Sequence, residues 1–152
     1  MKKTILIVDD TEDTHIILKE FLTDSEFNVH SVHNGQEAID FLMKRTIPDL
    51  ILLDLMMPEV DGLSFLKIIR RDGVKKVEIQ SLPAENLGDS LITDPLESFN
   101  ARLKNIKVVI ISAKDSIEDV IAVKKLGISG YIRKPFNAET VCNSIEKVLD
   151  IK

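Results

Sequence analysis

The sequence has 152 residues and a formal net charge of −5, from 20 basic and 25 acidic side chains. Its content of 44% hydrophobic and 30% charged residues is typical of one globular domain and too apolar for a disordered chain. The mild acidity excludes a nucleic-acid or anionic-membrane binder that works through bulk charge. A single cysteine, Cys142, excludes an intramolecular disulfide framework and suits a reducing compartment.

No targeting or membrane-spanning segment is expected. The basic start at Lys2 and Lys3 is followed by an apolar run that stops at Val8, which is too short for the core of a signal peptide. No run approaches the ~20 apolar residues of a membrane span. We therefore expect a cytoplasmic protein with one domain over residues 1–152 and with no membrane or direct nucleic-acid partner.

Five short apolar runs predict strands. In chain order they are Ile5–Val8, Phe27–Val32, Leu50–Leu53, Val108–Ile111 and Tyr131–Lys134. The first, third and fourth runs are unbroken, which is typical of strands that are buried on both faces. Each strand is followed by an apolar stripe with helical spacing.

The two last helices carry capping signals. Ser116 is predicted to cap a helix that turns Ile117, Val120 and Ile121 inward, and Asn137 is predicted to cap the final helix. Strand and helix thus alternate five times along the chain. This alternation predicts an α/β fold, a doubly wound parallel sheet with helices on both faces.

An insertion over residues 73–105 interrupts the alternation. The 36 residues between Ile69 and Ile106 far exceed the ~2–6 that join a helix to the next strand. Within the insertion, Val77–Ile79 and Leu91–Thr93 are candidate strands of a short hairpin.

The end of the insertion predicts a helix that starts at Asp94-Pro95 and shares an apolar face among Leu96, Phe99 and Leu103. Two interpretations stay open. The segment either packs on its own domain or offers this face, or the hairpin edge, to a partner or a second copy.

Polar residues stand where the predicted strands end. Because the carboxyl ends of parallel strands meet at the edge where ligands bind, these side chains should lie together. They are Asp9, Asp10, Asp54, Ser112 and Lys134.

Neighbouring carboxylates repel one another, and Mg2+, which prefers oxygen ligands, resolves that repulsion. An aspartate also attacks phosphorus, while an ammonium and a hydroxyl stabilise a phosphoryl group. The set predicts a phosphoryl-accepting site.

The same residues carry a family resemblance. The sequence resembles a bacterial response-regulator receiver domain of the chemotaxis-receiver kind over nearly the whole chain outside residues 73–105. The matching segments are Val8-Asp9-Asp10, Asp54-Leu55-Met56-Met57-Pro58-Glu59-Val60-Asp61-Gly62, Ser112-Ala113 and Lys134-Pro135-Phe136. The resemblance implies a flavodoxin-like fold with the strand order 2-1-3-4-5.

The resemblance also implies residue roles. Asp54 is then the phosphorylated aspartate and, with Lys134, the catalytic pair. Mg2+, with Mn2+ as a substitute, is implied to bind Asp9, Asp10, Asp54 and the Met56 backbone carbonyl. The implied phosphate-binding and switch residues are Ser112, Ala113, Lys134 and Tyr131, and the Lys134–Pro135 bond is often cis in the family.

The implied function is that of a phosphoacceptor signalling module in a two-component phosphorelay. It takes a phosphoryl group from a sensor histidine kinase or a phosphotransfer protein and catalyses only its own phosphorylation and dephosphorylation. It then acts on a downstream protein target or on an output domain outside this sequence, and a homodimer is left open.

Two alternatives compete with this interpretation. A Mg2+-dependent aspartyl-nucleophile phosphatase usually carries Asp-x-Asp after its first strand, but here Asp10 is followed two residues later by Glu12. A receiver-fold scaffold that is not phosphorylated would not need the acidic set, the hydroxyl and the lysine. Metal binding by the histidines is disfavoured, since His30 and His33 read as surface or partly buried strand residues and His15 lies apart.

Overall fold

The computed structural model of the chain describes residues 2–22, 27–44, 47–57, 61–73, 95–113 and 116–151, with Pro95 and Leu96 described for their backbone only. The strands are β1 (Lys3–Val8), β2 (Phe27–Val32), β3 (Leu50–Leu53), β4 (Lys107–Ser112) and β5 (Gly130–Arg133). The helices are α1 (Glu12–Leu22), α2 (Gly35–Lys44), α3 (Gly62–Lys67), α4 (Pro95–Lys104), α5 (Ile117–Leu126) and α6 (Ala138–Leu149). None of the helices in this part of the chain has the length and apolarity of a membrane span.

The five strands form one parallel sheet in the order β2-β1-β3-β4-β5. This order and the helices on both faces confirm the predicted flavodoxin-like α/β fold. Side chains of a strand alternate between the two faces of a sheet. Ile5 and Ile7 of β1 therefore join a core with α1 and α6, while Leu6 and Val8 join a core with α2, α3, α4 and α5.

The helix predicted in the insertion is present as α4, but its apolar face packs on its own domain. Phe99 and Leu103 are fully buried in the same core as Phe65 of α3. Burial of two side chains of this size contributes roughly 3–6 kcal/mol. The hypothesis that these two residues face a partner or a second copy is therefore wrong. Asp94, the side chain of Leu96 and the candidate hairpin strands Val77–Ile79 and Leu91–Thr93 lie outside the described residues.

Helix α5 corrects a second prediction. Ser116 caps the helix as predicted and accepts a hydrogen bond from the Asp119 N–H at 3.2 Å. However, the predicted inward residues Ile117 and Ile121 are 77% and 47% exposed, and Val123 is buried instead. The apolar residues of this helix extend around more than one face, so their spacing alone does not fix its rotation against the sheet.

Arg70 joins the inserted helix to the rest of the fold. It lies in a π-helical turn, Ile68–Asp72, that continues α3. Its guanidinium donates to the backbone carbonyls of Gly127 (3.0 Å), Leu103 (3.2 Å), Lys104 (3.1 Å) and Ile106 (2.5 Å). Carbonyls at a helix C-terminus have no partner within the helix. The Arg70 guanidinium thus donates hydrogen bonds to carbonyls at the end of α4 and to the carbonyl of Gly127, which caps α5.

We expect Arg70→Met to lower the free energy of unfolding by about 2–3 kcal/mol, because partly buried carbonyls lose a charged donor. Urea unfolding followed by circular dichroism measures this change. The matched control is Arg71→Met, since Arg71 forms an exposed ion pair with Asp72 at 3.3 Å and its loss should cost about 0.5 kcal/mol or less. Equal losses for the two variants would contradict the proposed anchoring by Arg70.

Candidate phosphoryl-accepting site

The carboxyl ends of four strands bring the predicted polar residues together. Asp9 follows β1, Asp54 follows β3, Ser112 ends β4 and Lys134 follows β5. The backbone N–H of Asp54 donates to the Val8 carbonyl at 2.9 Å, and that of Lys134 donates to the Ser112 carbonyl at 3.0 Å. Sheet pairing therefore continues one residue past the strands and fixes the main chain from which these side chains project.

A buried ion-pair network occupies the centre of this edge. The Lys134 ammonium donates to Asp9 Oδ2 at 2.8 Å and to Asp54 Oδ2 at 3.2 Å. Asp9 is only 2% exposed and Asp54 only 4%. Two carboxylates so deeply buried repel each other strongly unless a cation lies between them. Lys134 is that cation.

Asp9 is held through its main chain and its carboxylate. Its N–H donates to the Val32 carbonyl at 3.2 Å, and its Oδ1 accepts from the Thr11 N–H at 2.8 Å. Its backbone carbonyl accepts from His15 Nε2 at 2.6 Å. Together with Lys134 on Oδ2, these contacts leave Asp9 little freedom to turn.

Asp10 completes an acidic cluster with Asp9 and Asp54. One carboxylate oxygen from each residue lies within 4.8 Å of the others, and the Asp10 side chain is exposed. These three carboxylates carry more negative charge than the Lys134 ammonium neutralises. The donor atoms are all oxygens, which fits a hard divalent cation such as Mg2+.

The loop after β3 shapes the rim of the site. The Met56 N–H donates to Asp54 Oδ1 at 3.0 Å. A Cβ at Gly62 would lie 2.6 Å from Leu55 Cα and in closer conflict with the Asp54 carbonyl, so the start of α3 requires glycine there. Asp61 caps that helix, and with Asp10 and Met56 it lines an open depression of about 400 Å³.

Burial and charge shift the protonation of the two central groups. Burial raises the pKa of Asp54, and the nearby charge of Asp9 adds to that rise, while the Met56 hydrogen bond and Lys134 oppose it. Burial alone would lower the pKa of Lys134, but its hydrogen bond to Asp9 and the charges of Asp54 and Asp9 raise it. Lys134 therefore stays charged, whereas ionisation of the buried Asp54 carboxyl costs free energy in the folded protein.

The remaining predicted residues lie on or directly after β4 and β5. Ser112 is fully buried, and Ala113 next to it is exposed. Tyr131 is half-buried on β5 and packs against the core that contains Val123 of α5. The Lys134–Pro135 peptide bond is cis.

His15 is the residue whose place at the site was not predicted. It is 1% exposed, and burial lowers the pKa of its imidazole. It lies three residues before Leu18 and seven before Leu22, both buried on α1. That spacing places it on the buried stripe of the helix, which is the signal that could have identified it. His30 and His33 are partly exposed, as predicted.

We expect Asp54→Asn to raise the thermal midpoint of the metal-free protein at pH 7 by about 2–4 °C, equivalent to about 1 kcal/mol. A raised pKa means that the native state holds the Asp54 proton more tightly than the unfolded chain does, so wild-type stability falls as pH rises through that pKa. The variant has no such group. The difference in thermal midpoint between the variant and the wild type should therefore shrink toward pH 3, where Asp54 is protonated. A difference that grows on acidification would contradict this explanation.

Comparison with known proteins identifies the family. Residues 5–89 match the response regulator receiver domain. Sporulation initiation phosphotransferase F of Bacillus subtilis (strain 168) is 27% identical over 152 residues, which cover 100% of this chain and 98% of that protein. Chemotaxis protein CheY-3 of Vibrio cholerae serotype O1 is 30% identical over 151 residues, which cover 96% and 91%.

A solved structure shows the same fold. The chemotaxis protein CheY4 of Vibrio cholerae superposes with a TM-score of 0.72 at 22% identity, over 97% of this chain and 99% of that chain. The family match covers more than half of the sequence, and the two relatives align along nearly all of it. The chain therefore belongs to the response regulator receiver domain family, the phosphoacceptor modules of two-component signalling.

Proposed function

We propose that Asp54 is the residue that accepts the phosphoryl group. The observation that carries this proposal is the anchoring of its carboxylate, with the Met56 N–H on Oδ1 and the Lys134 ammonium on Oδ2. One carboxylate oxygen attacks phosphorus, the bond from phosphorus to the donor's imidazole nitrogen breaks, and the imidazole leaves with a proton from solvent. A histidine kinase or a phosphotransfer protein supplies the phosphohistidine.

Mg2+ is proposed to bind the acidic cluster of Asp9, Asp10 and Asp54, with the Met56 backbone carbonyl as a further oxygen ligand and with Mn2+ as a substitute. The all-oxygen donor set and its net negative charge support this choice. The bound ion would neutralise charge on the phosphoryl oxygens. The exposed Asp10 leaves the cluster open to solvent, from which an ion and a phosphodonor can enter.

Lys134 is proposed to stabilise the phosphoryl group from the side of β5. Its ammonium already lies within 3.2 Å of the Asp54 carboxylate and is held there by Asp9. It needs little rearrangement to contact an oxygen of a phosphorylated Asp54, and preorganised charge of this kind accelerates phosphoryl transfer. Asp54 and Lys134 are thus the proposed catalytic pair for the protein's own phosphorylation and dephosphorylation.

The residue at the position of the phosphatase's general acid does not suit that role. A general acid must be protonated at the working pH. Glu12 is the acidic residue two positions after Asp10, but it accepts a hydrogen bond from His33 Nε2 at 2.8 Å, which lowers the pKa of Glu12. This contact favours a signalling module over an enzyme that turns over a separate substrate.

We propose that phosphorylation is read out through Ser112 and Tyr131. In this proposal the Ser112 hydroxyl, at the end of β4 next to β3, and the Ala113 backbone contact the new phosphoryl oxygens. Tyr131 pairs with Ile110 one strand away and packs on the core that includes α5. A movement of Ser112 toward Asp54 changes the space beside Tyr131 and biases the face of α5, β5 and α6 toward a second arrangement.

Asp54→Asn should abolish labelling by acetyl phosphate and Mg2+, because the amide is not a nucleophile toward phosphorus. Intact-protein mass spectrometry measures the gain of one phosphoryl group. The matched control is Asp49→Asn, at the opposite end of the same strand, where Asp49 accepts the Thr4 N–H. Asp49→Asn should be labelled like the wild type. Omission of Mg2+ should greatly slow the labelling of Asp49→Asn and of the wild type.

Undiminished labelling of Asp54→Asn, mapped to another residue, would contradict the assignment. Continuous release of phosphate from a small phosphoester would favour the phosphatase. A folded wild-type protein that is labelled neither by acetyl phosphate nor by a phosphohistidine donor would favour the alternative of a receiver-fold scaffold that is not phosphorylated.

The switch predicts a spatial pattern of chemical-shift changes. Adding a beryllofluoride phosphoryl mimic should shift amide resonances of α5, β5 and α6 as well as those near Asp54. Ser112→Ala should reduce the shifts at Tyr131 at least two-fold, because the hydroxyl that links Asp54 to Tyr131 in this proposal is lost. The matched control, Ser129→Ala on the opposite edge of the sheet, should leave the shifts at Tyr131 unchanged. Shifts confined to the neighbours of Asp54 in the wild type would refute the relay.

A further inference from the structure

His15 is a buried polar side chain that the proposed chemistry does not use. It lies on α1, 1% exposed, with Nε2 at 2.6 Å from the backbone carbonyl of Asp9. A carbonyl oxygen only accepts hydrogen bonds, so Nε2 carries the proton. Within the described part of the chain, the other ring nitrogen, Nδ1, is buried without a hydrogen-bond partner.

The unpaired Nδ1 shows what the imidazole contributes at this position. A buried polar atom without a partner destabilises the native state. An apolar ring of similar size would fill the same space and avoid that cost. What such a ring would lack is the hydrogen bond from Nε2 to Asp9.

That hydrogen bond fixes the direction of the chain between two carboxylates. The carbonyl of Asp9 and the N–H of Asp10 belong to one planar peptide group. Holding the carbonyl therefore orients the peptide that leads into Asp10. The Asp10 carboxylate is exposed, and the hydrogen bond that it accepts from the Thr11 hydroxyl is long, at 3.5 Å. The main chain must supply most of its orientation.

His33 holds the imidazole of His15 from the solvent side. The two ring centroids are 4.5 Å apart. His33 is itself anchored between two helices, because its Nε2 donates to Glu12 of α1 at 2.8 Å and its backbone N–H donates to Glu37 of α2 at 2.7 Å. The His15 ring therefore lies beside an anchored neighbour as well as forming its hydrogen bond to Asp9.

We propose that His15 is a positioning residue that orients the Asp9–Asp10 peptide and so sets the spacing of the two carboxylates at the acidic cluster. The inference rests on the proposed function, since it assigns His15 a role in Mg2+ binding. It concerns the main-chain contact and does not require His15 to touch the metal or the phosphoryl group.

The test compares His15→Phe with His15→Gln in the full chain. Phenylalanine keeps the ring without a donor, and the glutamine amide can donate from nearly the position of Nε2. Because the chain has no tryptophan, Mg2+ binding is followed by NMR shifts of backbone amides. We expect about ten-fold weaker Mg2+ binding for His15→Phe and recovery to within about three-fold for His15→Gln. Labelling at saturating Mg2+ should stay near the wild-type rate in both.

The matched control is His30→Phe, the same substitution at a histidine that packs on Phe41 of α2. It should leave Mg2+ affinity unchanged. Wild-type affinity in a folded His15→Phe, or no recovery in His15→Gln, would overturn the role of His15 while leaving the proposed function intact. A wild-type protein that neither binds Mg2+ nor becomes labelled would instead contradict the proposed function.

A measurement on the unmodified protein covers the case in which His15→Phe does not fold. Long-range 1H–15N spectra of the imidazoles should show His15 as the Nε2–H tautomer, with a resonance that shifts when Mg2+ is added. The Nδ1–H tautomer, or a His15 resonance that does not respond to saturating Mg2+, would overturn the proposal.

Discussion

The contact on which the site depends is the ammonium of Lys134 between the carboxylates of Asp9 and Asp54. Two buried carboxylates at hydrogen-bonding distance from one cation are tolerable in the folded chain, whereas the same pair without it would repel strongly. Adding Asp10 leaves more negative charge than the lysine neutralises. This excess is the physical basis for the proposed binding of a divalent cation, and the proposed acceptor carboxylate belongs to the same cluster.

The parallel sheet makes that contact possible. Strands β1, β3 and β4 are apolar on both faces and hold the sheet between two cores. Polar residues can enter this apolar layer only where the strands end, and in a parallel order those ends share one edge. The covering helices then set the finer geometry. His15 contacts Asp9 from α1. The absence of a side chain at Gly62 lets the start of α3 lie directly against the backbone of Asp54 and Leu55.

The inserted helix α4 is integrated at the side of the fold away from this edge. Phe99 and Leu103 extend the core of α2, α3 and α5, and Arg70 binds the carbonyls at the end of α4 together with that of Gly127. Gly127 caps α5, whose face takes part in the proposed readout. Helix α4 is thus attached to the part of the fold that carries the proposed switch.

The sequence by itself determined the strand runs, the polar residues at their ends and the helix caps at Ser116 and Asn137, because these depend on side-chain type and short-range spacing. Tertiary structure decided the rest. The strand ends predict Lys134 at the same edge as Asp9 but not the ion pairs that its ammonium forms with Asp9 and Asp54, and nothing in the sequence predicts that Arg70 contacts Gly127 across 57 positions. The rotation of α5 and the burial of His15 likewise depend on how helices dock against the sheet. Local patterns carry no information about such docking, because it is set by contacts between residues far apart in the chain.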